Sequence, residues 1–258
     1  MSDTPNTLGE FPAATVAQWR ALVEKTLKGA PFDSLQRTTL EGLPIDPLYD
    51  GDIAAPGFAP RPHDAERPWD IRSLIAHPDP ALANAELLAD LEGGAASALI
   101  VIDPAGERGV AVGSAEDLGR VLDGVMLEFA PAALDAGFLG PKAADWLAAA
   151  AKSSPTALLS FHLDPLSSFA RDGASPGPVE SHVVSAATVG ARLIATYPKA
   201  GLFLASGRVV HEAGGGEAGE LAFALAAALT YAKALGRAGL PMQDAFAAIQ
   251  LGLCPGTD

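Results

Sequence analysis

Short apolar runs alternate with helical segments from residue 69 onward, and this alternation constrains the fold more than any other feature of the chain. Runs of this length, rich in aliphatic side chains, are typical of parallel strands buried on both faces. Five of them predict strands, at Ser97–Asp103, Val125–Ala130, Ala157–Leu163, Gly201–Ser206 and Ile249–Leu253. The repetition of strand and helix predicts an α/β protein.

Helices are predicted between these strands from apolar residues spaced three and four apart. The predicted helices are Asn84–Leu91, Ser114–Leu122, Pro141–Ala151, Val179–Tyr197, Ala218–Gly236 and Met242–Ala248. Right-handed crossovers leave two architectures open, a doubly wound sheet and a (β/α)8 TIM-type barrel. Only Cys254–Asp258 follow the last predicted strand, so a barrel reading implies an incomplete barrel of about five βα units.

The first 68 residues differ in composition from the rest. Apolar residues at helical spacing predict a first helix, which the Gly29-Ala30-Pro31 sequence ends. The residues on its apolar face are Trp19, Leu22, Val23 and Leu27. Residues 31–68 contain seven of the 21 prolines, which predicts an extended arm. We therefore expect an N-terminal helix and Pro-rich arm at 1–68 and an α/β region at 69–258.

Charge and cysteine content exclude several classes of protein. The 17 Lys and Arg against 31 Asp and Glu give a net charge of −14, which argues against a nucleic-acid or anionic membrane partner. A single cysteine excludes a disulfide framework and a Cys-rich zinc site. The start, MSDTPNTLGE, lacks the features of a signal peptide, so we expect a cytoplasmic protein.

Functional groups of α/β proteins lie where strands end at their carboxyl side, and polar residues occupy several such positions here. His162 and Asp164 fall two residues apart, so they can pair or point together into a pocket; a structural histidine within the sheet is the alternative. Asp103 is predicted to terminate a strand and cap the next turn. Cys254 is predicted to be a buried, inert thiol.

His211 precedes a glycine run and a predicted helix start, which suggests an anion pocket with this histidine as acid or base. The alternative is a glycine-rich turn with a structural histidine, because no GxGxxG motif and no P-loop lysine is present. The pocket candidates are therefore His211, His162, Asp164 and Asp103. No cofactor-binding or metal-ligating set is predicted, because the histidines lack a third ligand at a recognisable spacing.

Several motifs, in order and spacing, resemble the methylmalonyl-CoA mutase family over nearly the whole chain. Trp69-Asp70-Ile71-Arg72 is similar to the family's W-T-I-R element, and Ser206-Gly207 and Glu212-Ala213-Gly214 follow a later strand–helix unit. The arm matches at Trp19, Lys28-Gly29, Thr39, Glu41-Gly42 and Pro47-Leu48-Tyr49, and the later unit also at Glu220-Leu221-Ala222 and Tyr231. The resemblance implies a (β/α)8 barrel, followed in the family by a cobalamin-binding domain.

Departures from the family pattern point to its small, non-catalytic subunit. Catalytic chains read S-G-Y-H-x-x-E-A-G, and the position of that histidine is Val209 here, with His211 two residues away. Asp64 stands where catalytic chains carry an active-site tyrosine. The cobalt-ligating D-x-H-x-x-G signature does not occur in these 258 residues, so no cobalamin-binding domain is expected in them.

The resemblance therefore implies the amino-terminal region of a small subunit that has no catalytic residues of its own. Its implied partner is a large catalytic subunit, which uses adenosylcobalamin to interconvert methylmalonyl-CoA and succinyl-CoA; acyl-CoA is a candidate ligand. Two alternatives stay open. One is a divergent acyl-CoA mutase barrel that uses His211 or His162, and the other is an α/β domain that binds CoA at Gly214–Gly216. An incomplete barrel also leaves an edge strand unpaired, which predicts self-association.

Overall fold

The computed structural model describes residues 14–49 and 69–255. The chain divides into two compact units, Met1–Pro62 and His63–Asp258. Part of the predicted arm, including Asp64, lies outside the described residues.

In the first unit, helix α1 (Val16–Thr26) begins with a capping box, in which Thr15 and Gln18 each accept a hydrogen bond from the other's backbone N–H. A 3-10 turn at Phe32–Leu35 follows, and then a short antiparallel hairpin of β1 (Arg37–Thr38) and β2 (Pro44–Ile45). The ring of Trp19 packs edge-on against Phe32 at 6.0 Å.

No residue between 14 and 49 is fully buried. Trp19, Val23 and Leu27 are half-buried, as the apolar face of the predicted helix requires, but Leu22 is 64% exposed and does not belong to that face. The segment has no hydrophobic core of its own, since its apolar residues cover one another only partly.

The second unit contains a six-stranded parallel sheet with helices between its strands. The strands are β3 (Arg72–Ile75), β4 (Ser97–Val101), β5 (Ala132–Asp135), β6 (Ser160–Leu163), β7 (Gly201–Ser206) and β8 (Ile249–Gly252). The helices are α2 (Pro80–Glu92), α3 (Ala115–Val121), α4 (Gly140–Ala150), α5 (Pro165–Asp172), α6 (Val179–Leu193), α7 (Arg208–Glu212), α8 (Glu217–Arg237) and α9 (Met242–Ala247). The predicted α/β architecture is confirmed.

The strands follow one another across the sheet in their sequence order, from β3 to β8. Consecutive helices also pack side by side, α2 on α3, α3 on α4, α4 on α6 and α6 on α8, so they form one layer. The core lies between this layer and the sheet, with Ile100, Leu134 and Leu202 fully buried. This arrangement is compatible with a partial barrel.

The predicted strand at Val125–Ala130 is wrong. These residues form turns in which the N–H groups of Phe129 and Ala130 bond to the carbonyl of Met126. Met126 and Phe129 are 66% and 70% exposed, so this apolar run does not enter the core. The strand lies just beyond it, at Ala132–Asp135, where the small side chains of Ala132 and Ala133 are fully covered.

Several elements were not predicted, among them β3, α5 and the one-turn helix α7. Strand β3 was missed because the Ile71–Ile75 stretch includes Arg72 and Ser73 and has no long apolar run. Helix α5 was missed because it is short and opens with Pro165, which is compatible with a first helical turn. The predicted helix at Val179–Tyr197 ends earlier, at Leu193.

Among the described residues, α8 is the one helix whose length and mean hydropathy would suffice to cross a membrane. Its buried face packs on the sheet, where the ring of Tyr231 stacks on Phe203 with 4.4 Å between the centroids. Tyr231 and Leu235 are completely buried. The apolar composition of α8 therefore reflects its place in the core of the unit.

Candidate functional site

A cavity of about 280 Å³ lies at the sheet face opposite the helix layer. Leu74, Leu99 and Ala133 form one row across β3, β4 and β5 on this face, and Val101 and Asp135 form the next. Polar groups that line the cavity are Arg72, Asp135, His162, Asp164, Ser167, Ser168, Arg171, Ser206, Arg208 and Glu212. The cavity thus gathers side chains from the carboxyl ends of several strands.

His162 reaches this cavity through an irregularity in β6. Its φ angle is +48°, a left-handed conformation that costs a non-glycine residue roughly 1–2 kcal/mol. The pairing of β6 with β7 shifts register between Ser160 and Leu163, on either side of it. The regular alternation of side chains between the two faces of the sheet is therefore interrupted at His162, and its imidazole lies on the open face.

Gln250 holds the imidazole from two strands away. The Nε2 atom of His162 lies 2.7 Å from Oε1 of Gln250. Strand β7 separates β6 from β8, and Gly201 provides the space for this contact. A Cβ atom at Gly201 would lie 2.6 Å from Cδ of Gln250, too close for both to keep their positions.

Burial lowers the pKa of His162 to about 4, so the imidazole is neutral at pH 7. Its hydrogen bond to Gln250 opposes this shift, and the charge of Arg72 adds to it. Nδ1 is buried and makes no hydrogen bond to any described residue. A buried imidazole nitrogen without a partner is costly, and it makes His162 the least satisfied group of the site.

Asp164 belongs to a separate hydrogen-bond network at the same cavity. Its Oδ1 accepts bonds from the N–H of Ser167 at 3.1 Å and from the hydroxyl of Tyr231 at 2.5 Å. The Tyr231 oxygen accepts in turn from the N–H of Leu166 at 3.0 Å. Asp164 thereby caps α5 and ties it to α8.

Burial raises the pKa of Asp164 to about 6, although the bonds from Tyr231 and Ser167 oppose the shift. The pKa of Tyr231 is raised by burial and by the neighbouring carboxylate. His162 and Asp164 both line the cavity, as one of the two sequence readings expected, but each is bonded to a different partner.

His211 and Asp103 are not among the residues that line this cavity. The Nδ1 atom of His211 lies 3.6 Å from Oε2 of Glu220, a carboxylate that is only 3% exposed. The other oxygen of Glu220 accepts the N–H of Cys254 at 2.5 Å. Cys254 is half-buried and carries a free thiol. The structure thus places His211 in a contact that joins α7 to α8, away from His162.

Asp103 organises the loop that follows β4. Its carboxylate accepts the N–H groups of Ala105 at 3.1 Å, Glu107 at 3.0 Å and Arg108 at 2.9 Å. These bonds, led by that of Arg108, lower the pKa of Asp103. This is the turn-capping role that the sequence predicted.

Each arginine that lines the cavity has a polar partner. Nε of Arg72 donates to Oγ of Ser97 at 3.0 Å, and Arg171 lies 3.7 Å from Asp135. Arg208 lies 2.6 Å from Glu212 on the one-turn helix α7. Val209, between them in sequence, is also a lining residue. The position at which the family resemblance places a histidine therefore contributes an aliphatic side chain to the cavity.

Neither a metal nor a corrin fits this site. The described residues contain no group of three or more His, Cys, Asp and Glu side chains that could hold a metal ion. A cavity of about 280 Å³ lies at the small end of ligand sites and cannot enclose a corrin ring. One nitrogen of each histidine in the region is engaged, Nε2 of His162 with Gln250 and Nδ1 of His211 with Glu220.

The site residues that sequence analysis missed fall into two groups. Arg72 and Tyr231 lay within recognised motifs but had no assigned role. Gln250, Asp135 and Arg171 gave no sequence signal, because their place at the site follows from strand register and from helix α5.

The fold and the cavity define a parallel α/β protein whose candidate site lies at the strand ends. Residues 56–252 match the family described as Methylmalonyl-CoA mutase. The chain belongs to the methylmalonyl-CoA mutase family.

Its relatives include small subunits of this enzyme. The chain is 35% identical over 264 residues to the methylmalonyl-CoA mutase small subunit of Streptomyces virginiae, which covers 93% of this chain and 41% of the relative. It is also 30% identical over 274 residues to the methylmalonyl-CoA mutase small subunit of Propionibacterium freudenreichii subsp. shermanii. This match covers 94% of this chain and 41% of the relative. A methylmalonyl-CoA mutase of Cereibacter sphaeroides is 34% identical over 140 residues, 43% of this chain and 20% of the relative. The chain thus spans about two-fifths of the small subunits it matches.

Proposed function

We propose that this chain is the amino-terminal region of a small, non-catalytic mutase subunit, which supports the methylmalonyl-CoA/succinyl-CoA isomerisation carried out by a large catalytic subunit. The observation that carries the proposal is Val209 at the cavity, in the place of the family's histidine. A valine neither donates a hydrogen bond nor transfers a proton. The similarity to proteins named small subunits supports the same assignment.

The two other imidazoles near the strand ends do not replace the missing one. His211 contacts the buried Glu220 instead of lining the cavity. His162 lines it, but a pKa of about 4 leaves only about one molecule in a thousand protonated at pH 7. It is therefore a poor general acid. These contacts weigh against a barrel with its own mutase activity.

The proposed architecture is an arm at residues 1–68 and a partial (β/α)8 barrel at 69–258. The strand order has no reversal, whereas a doubly wound sheet reverses at its switch point. The single layer of helices also supports the barrel. In this assignment the unit supplies six neighbouring strands of the barrel.

We propose that the arm binds the large subunit. Its described part exposes apolar side chains without a core: Leu40 is 83% exposed, and Leu43 and Tyr49 are each 55% exposed. Exposed apolar residues at this density are typical of a surface that a partner covers. Adenosylcobalamin is proposed to bind the holoenzyme outside the residues described here, since the cavity does not fit it. We place the complex in the cytoplasm.

The test is to assay methylmalonyl-CoA conversion by the chain alone and in mixture with a catalytic large subunit, each supplied with adenosylcobalamin. We expect co-purification of the two chains, and turnover only when the large subunit is present. Turnover by the chain alone would overturn the non-catalytic assignment. Two chains that stay separate in sedimentation would overturn the assignment as a subunit.

Leu43→Glu tests the contribution of the arm. It should weaken binding to the large subunit about tenfold or more, because it places a charge in a desolvated contact. Leu158→Glu is the matched control, since Leu158 is similarly exposed, at 53% against 55%, but lies in the α/β unit. Equal affinity for both variants would contradict the role of the arm.

A further inference from the structure

Helix α5 forms one wall of the cavity on the open face of the sheet. It follows β6 directly, and its residues Ser167, Ser168 and Arg171 line the cavity. The hydroxyl of Ser167 also donates a hydrogen bond to the carbonyl oxygen of Ser206 at 3.0 Å, which ties α5 to the carboxyl end of β7. Any displacement of α5 therefore changes access to the cavity.

The two ends of α5 are held in different ways. At its start, the hydroxyl of Tyr231 donates to the carboxylate of Asp164 at 2.5 Å and accepts the N–H of Leu166 at 3.0 Å. Tyr231 is completely buried, so this end is fixed within the core. At the other end, every residue from 169 to 172 is exposed. A buried start is thus joined to an exposed last turn.

Two ion contacts link this last turn to other elements, among the residues that the structure describes. Arg171 lies 3.7 Å from Asp135, and Asp172 lies 3.7 Å from Arg108. All four side chains are partly exposed, so water and salt compete with both contacts. Ion pairs of this kind contribute little to stability.

The helix has little else to keep it folded. Only Pro165 and Ser168 of its eight residues are buried. The Gly-Ala-Ser-Pro-Gly-Pro sequence that follows is mostly exposed, and φ is positive at Gly173 and Gly177. Eight residues are too few to remain helical in water without tertiary contacts. Release of its contacts therefore melts α5, because it cannot move away as a rigid helix.

We propose that α5 is a gate of the cavity, which opens by local unfolding from its carboxyl end. In the closed state the helix is ordered and completes the cavity wall. In the open state residues 169–178 detach, while the bonds between Asp164 and Tyr231 keep the start in place. The contact between Arg171 and Asp135 holds the gate closed. Order–disorder transitions of short segments are a common switching device, and this one does not depend on the mutase assignment.

The first experiment measures opening of the cavity in the full chain by the reaction of a buried thiol with iodoacetamide. Ser206→Cys places this thiol in the cavity wall, and Cys254→Ser removes the native cysteine. Arg171→Gln should speed the labelling about three- to fivefold, because it removes the contact that holds the gate closed. Arg192→Gln is the matched control, since Arg192 pairs with Asp145 at similar exposure away from α5. Equal labelling in these two variants, or labelling of the parent as fast as an exposed thiol, overturns the proposal.

The second experiment measures amide hydrogen exchange of α5 and α6 at low urea concentrations. The amides from 170 to 173 should exchange at least about tenfold faster than those of α6, and urea should change their rates little, because local opening exposes little surface. Leu118→Ala lowers the stability of the whole unit, since Leu118 is completely buried on α3, but it should leave exchange in α5 unchanged. If α5 exchanges as slowly as α6, or if Leu118→Ala speeds its exchange, α5 opens only with the whole unit and the proposal is wrong.

Discussion

On one face of the six-stranded sheet, Ile100 and Leu134 are completely buried beneath the helices. On the other face, Leu74 is 59% exposed, although it belongs to the same sheet. The covered face is packed from aliphatic side chains, while the open face mixes aliphatic residues with Arg72, His162 and Gln250. Burial therefore stabilises the unit chiefly from one side, and the open side is free to carry polar groups.

The largest expected effect is a difference in stability between substitutions on the covered face and on the open face. Leu134→Ala should lower the free energy of unfolding by about 2–5 kcal/mol, because it leaves a cavity in a closely packed core. Leu74→Ala should cost about 0.5 kcal/mol, since most of that side chain already contacts water. Urea denaturation with an unchanged m-value measures both.

If Leu134→Ala and Leu74→Ala lose similar amounts of stability, the open face is covered in solution. Oligomeric state measured in parallel would then show whether another copy of the chain covers it.

The second prediction concerns two buried groups whose titrations oppose each other. The pKa of Asp164 is raised to about 6, so the folded state binds its proton more tightly and loses stability as the pH rises from 4 to 6. The pKa of His162 is lowered to about 4, so the folded state loses stability as the pH falls from 6.5 to 4. In the wild type these two contributions largely cancel.

Single substitutions should reveal each slope. Asp164→Asn keeps an oxygen that accepts hydrogen bonds from Tyr231 and Ser167, but it no longer titrates, so only the titration of His162 remains. The free energy of unfolding should then fall by up to about 3 kcal/mol as the pH is lowered from 6.5 to 4. His162→Gln should show the reverse, a fall of similar size from pH 4 to 6. Arg72 and Asp135 act on the titration of His162 with opposite signs and should change these values little. Parallel pH profiles for both variants and the wild type would contradict the two shifted pKa values.

The covered face was largely predictable from sequence. The Gly201–Ser206 strand has the predicted bounds, and α8 extends one residue beyond each predicted end, because continuous apolar runs and helical spacing report burial. Strand β5 escaped prediction because alanine favours helices, and only neighbouring strands make Ala132–Asp135 extended. The apolar run Val125–Ala130 just before it has the composition of a strand, so the sequence predicted the strand there instead.

The open face was predicted only in part. His162 and Asp164 were recognised as polar residues at the end of a predicted strand, where their spacing allowed a pair, a shared pocket or a structural histidine. The left-handed φ of His162 and the cap that Asp164 forms on α5 separate them. Gln250 comes near His162 only through the register of three strands, and no local pattern encodes such a contact.

The smallest expected effect concerns Gly201, where the absence of a side chain leaves room for Gln250 on the open face. Gly201→Ala places a Cβ within 2.6 Å of Gln250, whose flexible end must move and release His162. We expect a loss of about 1 kcal/mol, since one hydrogen bond to a buried imidazole is lost. Gly119→Ala is the control, because a Cβ there meets nothing within 4 Å. This substitution replaces a glycine inside helix α3, so it should raise the free energy of unfolding by about 0.5–1 kcal/mol. Nitrogen NMR of the imidazole should report a changed Nε2 environment in Gly201→Ala alone, and an unchanged His162 spectrum would mean that Gln250 does not hold this ring.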